Sequence, residues 1–206
     1  MQLRAIPAIR EIDPRRWNAL QGADNPFLRH EFLEALERHG AVSRENGWVP
    51  YHLLLEDGET LAAAAPAYIK GNSWGEFVFD FAWAHAYERN GLEYYPKLII
   101  AVPYSPVNGP RMLLNPDYPA EGLRHALADG ARQMADAMEI SSVHWLFARD
   151  ADMEILEEAD YARREGCQYH WRNAGYADFD DFLDGLSAKK RKNIRRERRR
   201  VTEQGL

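Results

Sequence analysis

Three stretches of this sequence gather side chains able to do chemistry. The first runs from Val102 to Arg111, where Pro103, Pro106 and Pro110 follow the compact apolar run Lys97 to Val102. Proline has no N–H to give a neighbouring strand. The backbone there is either free for a ligand, with Tyr104, Ser105 and Arg111 facing the opening, or a rigid connection; both readings stay open. The second stretch is Trp74 to Tyr95, rich in aromatic rings, with Lys97 just beyond. Asp80, Trp83, Tyr87, Tyr95 and Lys97 would line a groove for a glycan or peptide, since flat rings with a few polar tips suit such ligands. The alternative is a plain aromatic core with satisfied polar tips. Asp80 and Glu88 are the conceivable bases, but neither shows a partner in the sequence, so no catalytic base is assigned.

The third stretch is basic. Residues Lys189 to Arg200 hold nine Lys or Arg and one Glu, a charge of +8 that leaves −14 on the rest of a chain whose net charge is −6. From Ser187 to Arg200 the only large apolar residue is Ile194, with Val201 one heptad on. Such a helix has no apolar face to bury. Lys190, Arg191 and Arg195 are its candidate contacts. It reads as a solvated connector, as a binder of phosphate groups on a nucleotide-sugar, a lipid-linked molecule or a tRNA, or as an arm for nucleic acid or an anionic membrane. No leucine-zipper heptads follow it, which argues against sequence-specific DNA readout.

The remaining reactive residues are sparse. His170 stands alone between Tyr169 and Trp171, either structural or functional. His30, His39, His52, His85, His125 and His144 show no metal-ligand spacing, and the single cysteine, Cys167, can build neither an internal disulfide nor a thiolate metal site. There is no Gly-x-Ser-x-Gly elbow and no P-loop. The N-terminal residues lack a signal-peptide apolar core, and no apolar run approaches the length needed to span a bilayer. With one cysteine, these features point to the cytoplasm.

The elements that must position these groups follow from periodicity. Asp13-Pro14 predicts a helix start, and Phe32, Leu33 and Leu36 predict a second helix closed by Gly40. Tyr51–Leu55 and Thr60–Ile69 read as a hairpin across Asp57-Gly58, despite the weak strand propensity of Ala62 to Ala65. A short helix is expected near Ala82–Arg89 and a strand over Lys97–Val102. Leu123, Leu127, Ala131, Met134 and Met138 mark one face of a helix over about residues 120–138. Val143, Trp145 and Phe147 alternate as a half-buried strand. A helix capped by Asp150 or Asp152, a strand over Cys167–Trp171, a helical face from Phe179 to Leu186 and the basic helix capped by Ser187 complete the chain. The expected class is α/β (α+β), a mixed sheet flanked by helices with a basic helix at the C-terminal end.

In order along the chain, several segments resemble the FemAB-like acyltransferases, the family identified with peptidoglycan biosynthesis or recognition. They are Asn25-Pro26-Phe27-Leu28; Gly75-Glu76-Phe77-Val78-Phe79-Asp80 running into Trp83, Tyr87 and Glu88; Tyr94-Tyr95-Pro96-Lys97-Leu98; Val102-Pro103-Tyr104-Ser105-Pro106-Val107 with Gly109-Pro110-Arg111; Tyr169-His170-Trp171; and Asp180-Asp181-Phe182-Leu183 leading to Lys189-Lys190-Arg191-Lys192. The resemblance covers nearly the whole chain. It implies a GNAT-like fold used twice in tandem. Residues 1–186 would be the first GNAT-like domain, and 187–206 a basic interdomain helix leading to a second GNAT-like domain outside this chain.

The resemblance further implies transfer of an acyl or aminoacyl group to an amine. The donor would be acyl-CoA or aminoacyl-tRNA, and the acceptor a peptidoglycan precursor or peptide. This half would bind the acceptor and the other half the donor. A GNAT-type CoA turn is absent from this half: Arg163-Arg164-Glu165-Gly166-Cys167-Gln168 comes nearest and fails at its last position. The rival reading is a non-catalytic binding module whose basic helix contacts nucleic acid or an anionic membrane.

Overall fold

A kinked hairpin organises the molecule. In the computed structural model, which describes residues 1–205, the outgoing arm consists of β2 (Trp48–Pro50) and β3 (His52–Asp57), and the returning arm of β4 (Thr60–Ala65) and β5 (Ala67–Lys70). Tyr51 and Pro66 interrupt the two arms at the same level, where the Tyr51 N–H donates to Ala67 O. The proline in the long predicted strand therefore splits it, because Pro66 cannot donate to a ladder. The turn at Gly58-Glu59 joins the register pair Asp57↔Thr60, and Gly58 takes φ +61°, which the first position of a tight hairpin turn requires.

With β1 (Gln2–Ile6), β6 (Lys97–Ile100), β7 (Leu113–Leu114) and β8 (Val143–Trp145), the kink divides the strands into two four-stranded sheets, ordered β1-β3-β4-β7 and β2-β5-β6-β8. Strand β1, unforeseen from the sequence, pairs antiparallel with β3. Strands β6 and β7 pair with β5 and β4 on the same side of the returning arm. They are one line of strand broken by an excursion from Ala101 to Met112, at the level of Pro66. Strand β8 runs parallel to β6. That parallel step needs a crossover, supplied by α4 (Ala120–Ala137).

Both faces of the first sheet are covered. Leu53, Leu55, Ala63 and Ala65 pack with Leu123, Leu127 and Ala131 of α4. On the other side Leu54 and Ala64 pack with Trp17 of α1 (Pro14–Asn18), with Leu28, and with Leu33 of α2 (His30–Arg38). Ala62 to Ala65 are fully buried. Burial between two helical layers outweighs their weak strand propensity, and small side chains let both layers approach. Asp13 caps α1 through its side chain as expected. Helices α3 (Phe81–Arg89) and α5 (Asp150–Glu158) fall where the sequence placed them, but Asp150 and Asp152 lie inside α5 and Arg149 takes its N-cap position without a side-chain bond.

The chain forms two compact units, Met1–Glu165 and a second beginning at Gly166. In the second, residues 166–177 contain no strand, so Cys167–Trp171 is irregular chain. A strand requires a partner edge, and Tyr169 is 97% exposed. Helix α6 (Phe179–Asp184) and α7 (Ala188–Glu203) follow. Trp171, Tyr176, Phe179 and Phe182 form a small cluster of rings, Arg198 stacks 4.1 Å over Phe179, and Arg195 pairs with Asp180 at 3.0 Å. Ser187 sits at the N-cap of α7, but its side chain makes no capping bond. Among the described residues no helix is long and apolar enough to cross a membrane, and no His, Cys, Asp and Glu grouping could hold a metal ion.

Candidate functional site

One face of the second sheet carries charge where a core would be expected. Side chains two apart on a strand share a face, and Lys70 of β5 is the register partner of Lys97 of β6. Both lysines are fully buried. His144 of β8, paired with Ile99, adds its ring edge-on to Tyr94. A polar sheet face must be covered by polar groups of opposite charge, since a buried ammonium without partners is very costly.

The cover is the segment from Ser73 to Asp80, and it is folded inside out. Ser73, Glu76 and Asp80 are buried, while Trp74 is 70% and Phe79 71% exposed and Phe77 also faces solvent. The Lys97 ammonium uses its three donors on Ser73 Oγ (2.9 Å), Glu76 Oε2 (2.8 Å) and Asp80 Oδ2 (2.6 Å). Tyr94 donates to the same Asp80 oxygen at 2.6 Å, and Tyr95 OH shares a 2.7 Å hydrogen bond with Ser73 Oγ. Lys70 donates to Trp74 O and Asn72 Oδ1 and stands 3.9 Å over the Trp48 ring.

Holding this arrangement strains the backbone. Gly75 takes φ +80°, Phe77 +61° and Phe79 +51°; the left-handed region is unfavourable for a bulky side chain. A side chain on Gly75 would meet Tyr104, with a Cβ only 2.6 Å from Cε1 of that ring. Tyr104 itself, at φ +57°, donates its N–H to Gly75 O. Strain of this kind persists only where surrounding contacts enforce it, and it concentrates at working sites.

The electrostatics divide the two acids. Burial pushes Glu76 up to about 7, despite its bond to Lys97. Burial also opposes ionisation of Asp80, but the bonds from Lys97, Ser73 and Tyr94 outweigh it and hold Asp80 at about 2. Burial, helped by Lys97, lowers His144 to about 4, so its ring is neutral near pH 7. Burial lowers Lys70 to about 8. Glu76 has a consequence for stability. Between pH 4.5 and about 7 the folded chain holds a proton on Glu76 that the unfolded chain has released. Stability therefore falls as pH rises through that window, by up to about 3 kcal/mol. Urea denaturation at steps across the window should show this slope for the wild type, and Glu76→Gln should flatten it.

The residues singled out from the sequence have separated. Asp80, Lys97 and Tyr95 meet, but beneath the aromatic surface rather than on it. Trp83, 51% exposed, stands on α3 with Arg164 5.3 Å over its ring. Tyr87 packs edge-on to Tyr94. Glu88 is exposed on α3. Ser73, Glu76, Lys70, Tyr94 and His144 were missed. Their signal was present: lysines inside apolar strand runs and acids at regular steps in an aromatic stretch.

Part of the backbone in the Ala101–Met112 excursion is tied down, as in the rigid-connection reading. Gly109 N–H donates to Phe147 O and Arg149 N–H to Gly109 O, tying the loop along the chain that continues from β8. Arg111 does not face the opening. It is fully buried, and its guanidinium donates to Leu146 O (2.7 Å), Pro110 O (3.0 Å) and Val107 O (2.5 Å). The prolines remove donors, and the arginine supplies them instead. Burial lowers Arg111 to about 10, still charged at neutral pH. Tyr104 is partly exposed and donates its OH to Ala41 O; Ser105 is half-buried.

His170, Lys190, Arg191 and Arg195 belong to the second unit. His170 is exposed in irregular chain. Arg191 donates to Asp184 O and Leu186 O, fastening α7 to the turn before it. On α7, Lys192, Arg195, Arg196 and Arg199 line one shallow groove.

Solved structures of similar outline exist. An aminoglycoside antibiotic 6'-N-acetyltransferase, AAC(6')-IG from Acinetobacter haemolyticus, aligns over 84% of this chain and 99% of its own at 14% identity, with a TM-score of 0.47. A possible acetyltransferase from Clostridium difficile 630 aligns over 84% and 97% at 9% identity, TM-score 0.48. TTHA1254 from Thermus thermophilus aligns over 85% and 98% at 16% identity, TM-score 0.42. Among curated proteins none matches. A family match extends over residues 8–206, nearly the whole sequence and every segment of the site. The chain belongs to the FemAB-like family, described as peptidoglycan biosynthesis/recognition.

Proposed function

We propose that this chain is the acceptor-binding part of an N-acyltransferase that moves an acyl or aminoacyl group onto an amine. Family membership supports a peptidoglycan-related transfer at that level. The observation that carries the acceptor role is the inside-out segment, which turns Trp74, Phe77 and Phe79 outward, with Trp83 of α3 also exposed. Exposed rings of this kind offer stacking faces to an acceptor bearing a sugar or a peptide. Residues 1–186 then serve as a first GNAT-like domain and the basic helix as its link to a second.

The donor, acyl-CoA or aminoacyl-tRNA, is assigned to that other domain. Two features support this placement: the missing CoA turn, and the tying of the Ala101–Met112 loop across the end of the β6–β8 pair. Phosphate groups of donor or acceptor would be met by Lys190, Arg191 and Arg195, whose charge suits them.

The test is calorimetric titration with a peptidoglycan-derived disaccharide-peptide carrying a free amine. Removing two exposed rings, Trp74→Ala with Trp83→Ala, should weaken binding about thirtyfold or more, at roughly 1–3 kcal/mol per stacking ring, and leave the melting temperature nearly unchanged. Unchanged affinity in the double variant would remove the platform from the proposal. Multiple turnover by this chain alone, with acyl-CoA or aminoacyl-tRNA supplied, would overturn the acceptor-only role.

A further inference from the structure

The Lys97 cluster leaves two carboxylate oxygens without a donor among the described residues. Lys97 spends all three donors, Asp80 Oδ2 accepts from both Lys97 and Tyr94, and Glu76 Oε2 accepts from Lys97. The second oxygen of each acid, Glu76 Oε1 and Asp80 Oδ1, is enclosed and meets no donor among the described residues. Both side chains are almost completely buried, at 0% and 1% exposure. Buried carboxylate oxygens are normally paired, and an orphan marks a missing donor. A complement for two acceptor oxygens beneath an aromatic surface is a compact group with several N–H donors and a positive charge.

We infer that Glu76 Oε1 and Asp80 Oδ1 are the receiving positions for the primary ammonium of the acceptor, and that Glu76 takes its proton. This rests on the acyl-transfer reading above and names the chemistry of the same site. Admission requires the strained segment Gly75–Phe79, whose inner face carries Glu76, to lift. The ammonium N–H bond breaks, its proton passes to the Glu76 carboxylate, and the electron pair left on nitrogen becomes the nucleophile. That nitrogen bonds to the acyl carbon of a thioester or ester donor. The thiolate or alkoxide leaves and receives the second proton from nitrogen.

Charge balance favours a proton moving on binding. With all groups ionised, Lys70 and Lys97 balance Glu76 and Asp80. A further ammonium adds a positive charge to a dry cluster, which is costly. Glu76, poised near 7, is the ready proton acceptor, and Lys70, near 8, can release the compensating proton to solvent. Asp80, near 2, stays an anion and holds the ammonium.

The experiment is carbon-13 NMR of the side-chain carboxylates in the full chain, titrated with n-butylammonium and, separately, with tetramethylammonium, which carries charge but no N–H. The expected result is a saturable shift of the Glu76 and Asp80 signals with butylammonium only. Glu76→Gln, which keeps the shape but not the charge, should weaken butylammonium binding at least about tenfold, and Asp80→Asn should do the same. No saturable shift, equal response to both cations, or unchanged affinity in both folded variants would overturn the assignment. No donor is present in this titration. A failed acyl-transfer assay beside intact amine binding would therefore remove the transferase reading and leave the ammonium site standing.

Discussion

Replacing Lys97 by methionine should cost about 3–5 kcal/mol of folding stability, the loss expected when a buried charge network loses its one shared cation. The reason lies in the count of bonds around a single nitrogen. Lys97 Nζ is the donor shared by Ser73, Glu76 and Asp80, all of them buried. Methionine fills nearly the same volume, so packing changes little, and the loss isolates the charge. Two carboxylates would then face each other with Lys70 as the nearby cation. Glu76 would become protonated, and the segment from Ser73 to Asp80 would lose its reason to fold inside out. Chemical denaturation at neutral pH measures the effect. The triple variant Lys97→Met, Glu76→Gln, Asp80→Asn should regain most of it, because no unpaired charge remains. If Lys97→Met alone is as stable as the wild type, the cluster does not hold the cover in place.

Arg111→Met should cost about 3 kcal/mol, for the loss of charge-assisted bonds and the carbonyls left without donors. Arg111 donates to three backbone oxygens, Val107 and Pro110 in its own loop and the distant Leu146. Its own backbone N–H is received by Asp152 Oδ2, which Met112 also approaches, while Arg124 and Arg149 pair with Asp152 Oδ1. Arg111→Lys should recover little, since one ammonium cannot reach three carbonyls aimed from a planar fork. Hydrogen exchange would show the change locally, as faster exchange at the Gly109 and Arg149 amides. Unchanged exchange at both would mean that the loop is held by something other than this arginine.

These two residues show what a sequence reading reaches. Lys97 and Asp80 stood out as polar groups in and just beyond the aromatic stretch. Their meeting was not visible, since 17 positions separate them and the contact depends on the cover segment crossing the sheet face. Glu76 falls within a family-like motif that gives it no role by itself. Its distinguishing feature, an enclosed oxygen with no donor, exists only in three dimensions. Arg111 was placed in the right loop with the wrong direction. A cation in a proline-rich loop reads as exposed, and only the neighbouring carbonyls of Val107, Pro110 and Leu146 explain why it turns inward.

The fold divides along the same line. Long periodic elements such as α4, with Leu123, Leu127 and Ala131 on one stripe, were legible because a helix repeats its own period locally. Short strands were not. Gln2–Ile6 and Leu113–Leu114 are strands because β3 and β4 offer them edges, while Cys167–Trp171 alternates convincingly and has no partner edge.

By itself, then, the sequence determined the mixed α/β class, the basic C-terminal helix, the family resemblance and the candidate stretches. Each of these depends on local periodicity, composition or ordered motifs, which the chain carries in one dimension. Tertiary structure alone decided which way the side chains point. Lys70 and Lys97 share a strand register, so the segment covering them turns its acids inward and its aromatics outward, against ordinary hydrophobic patterning. Burial cost drives that reversal: two ammonium groups removed from water require anions more than the rings require shelter.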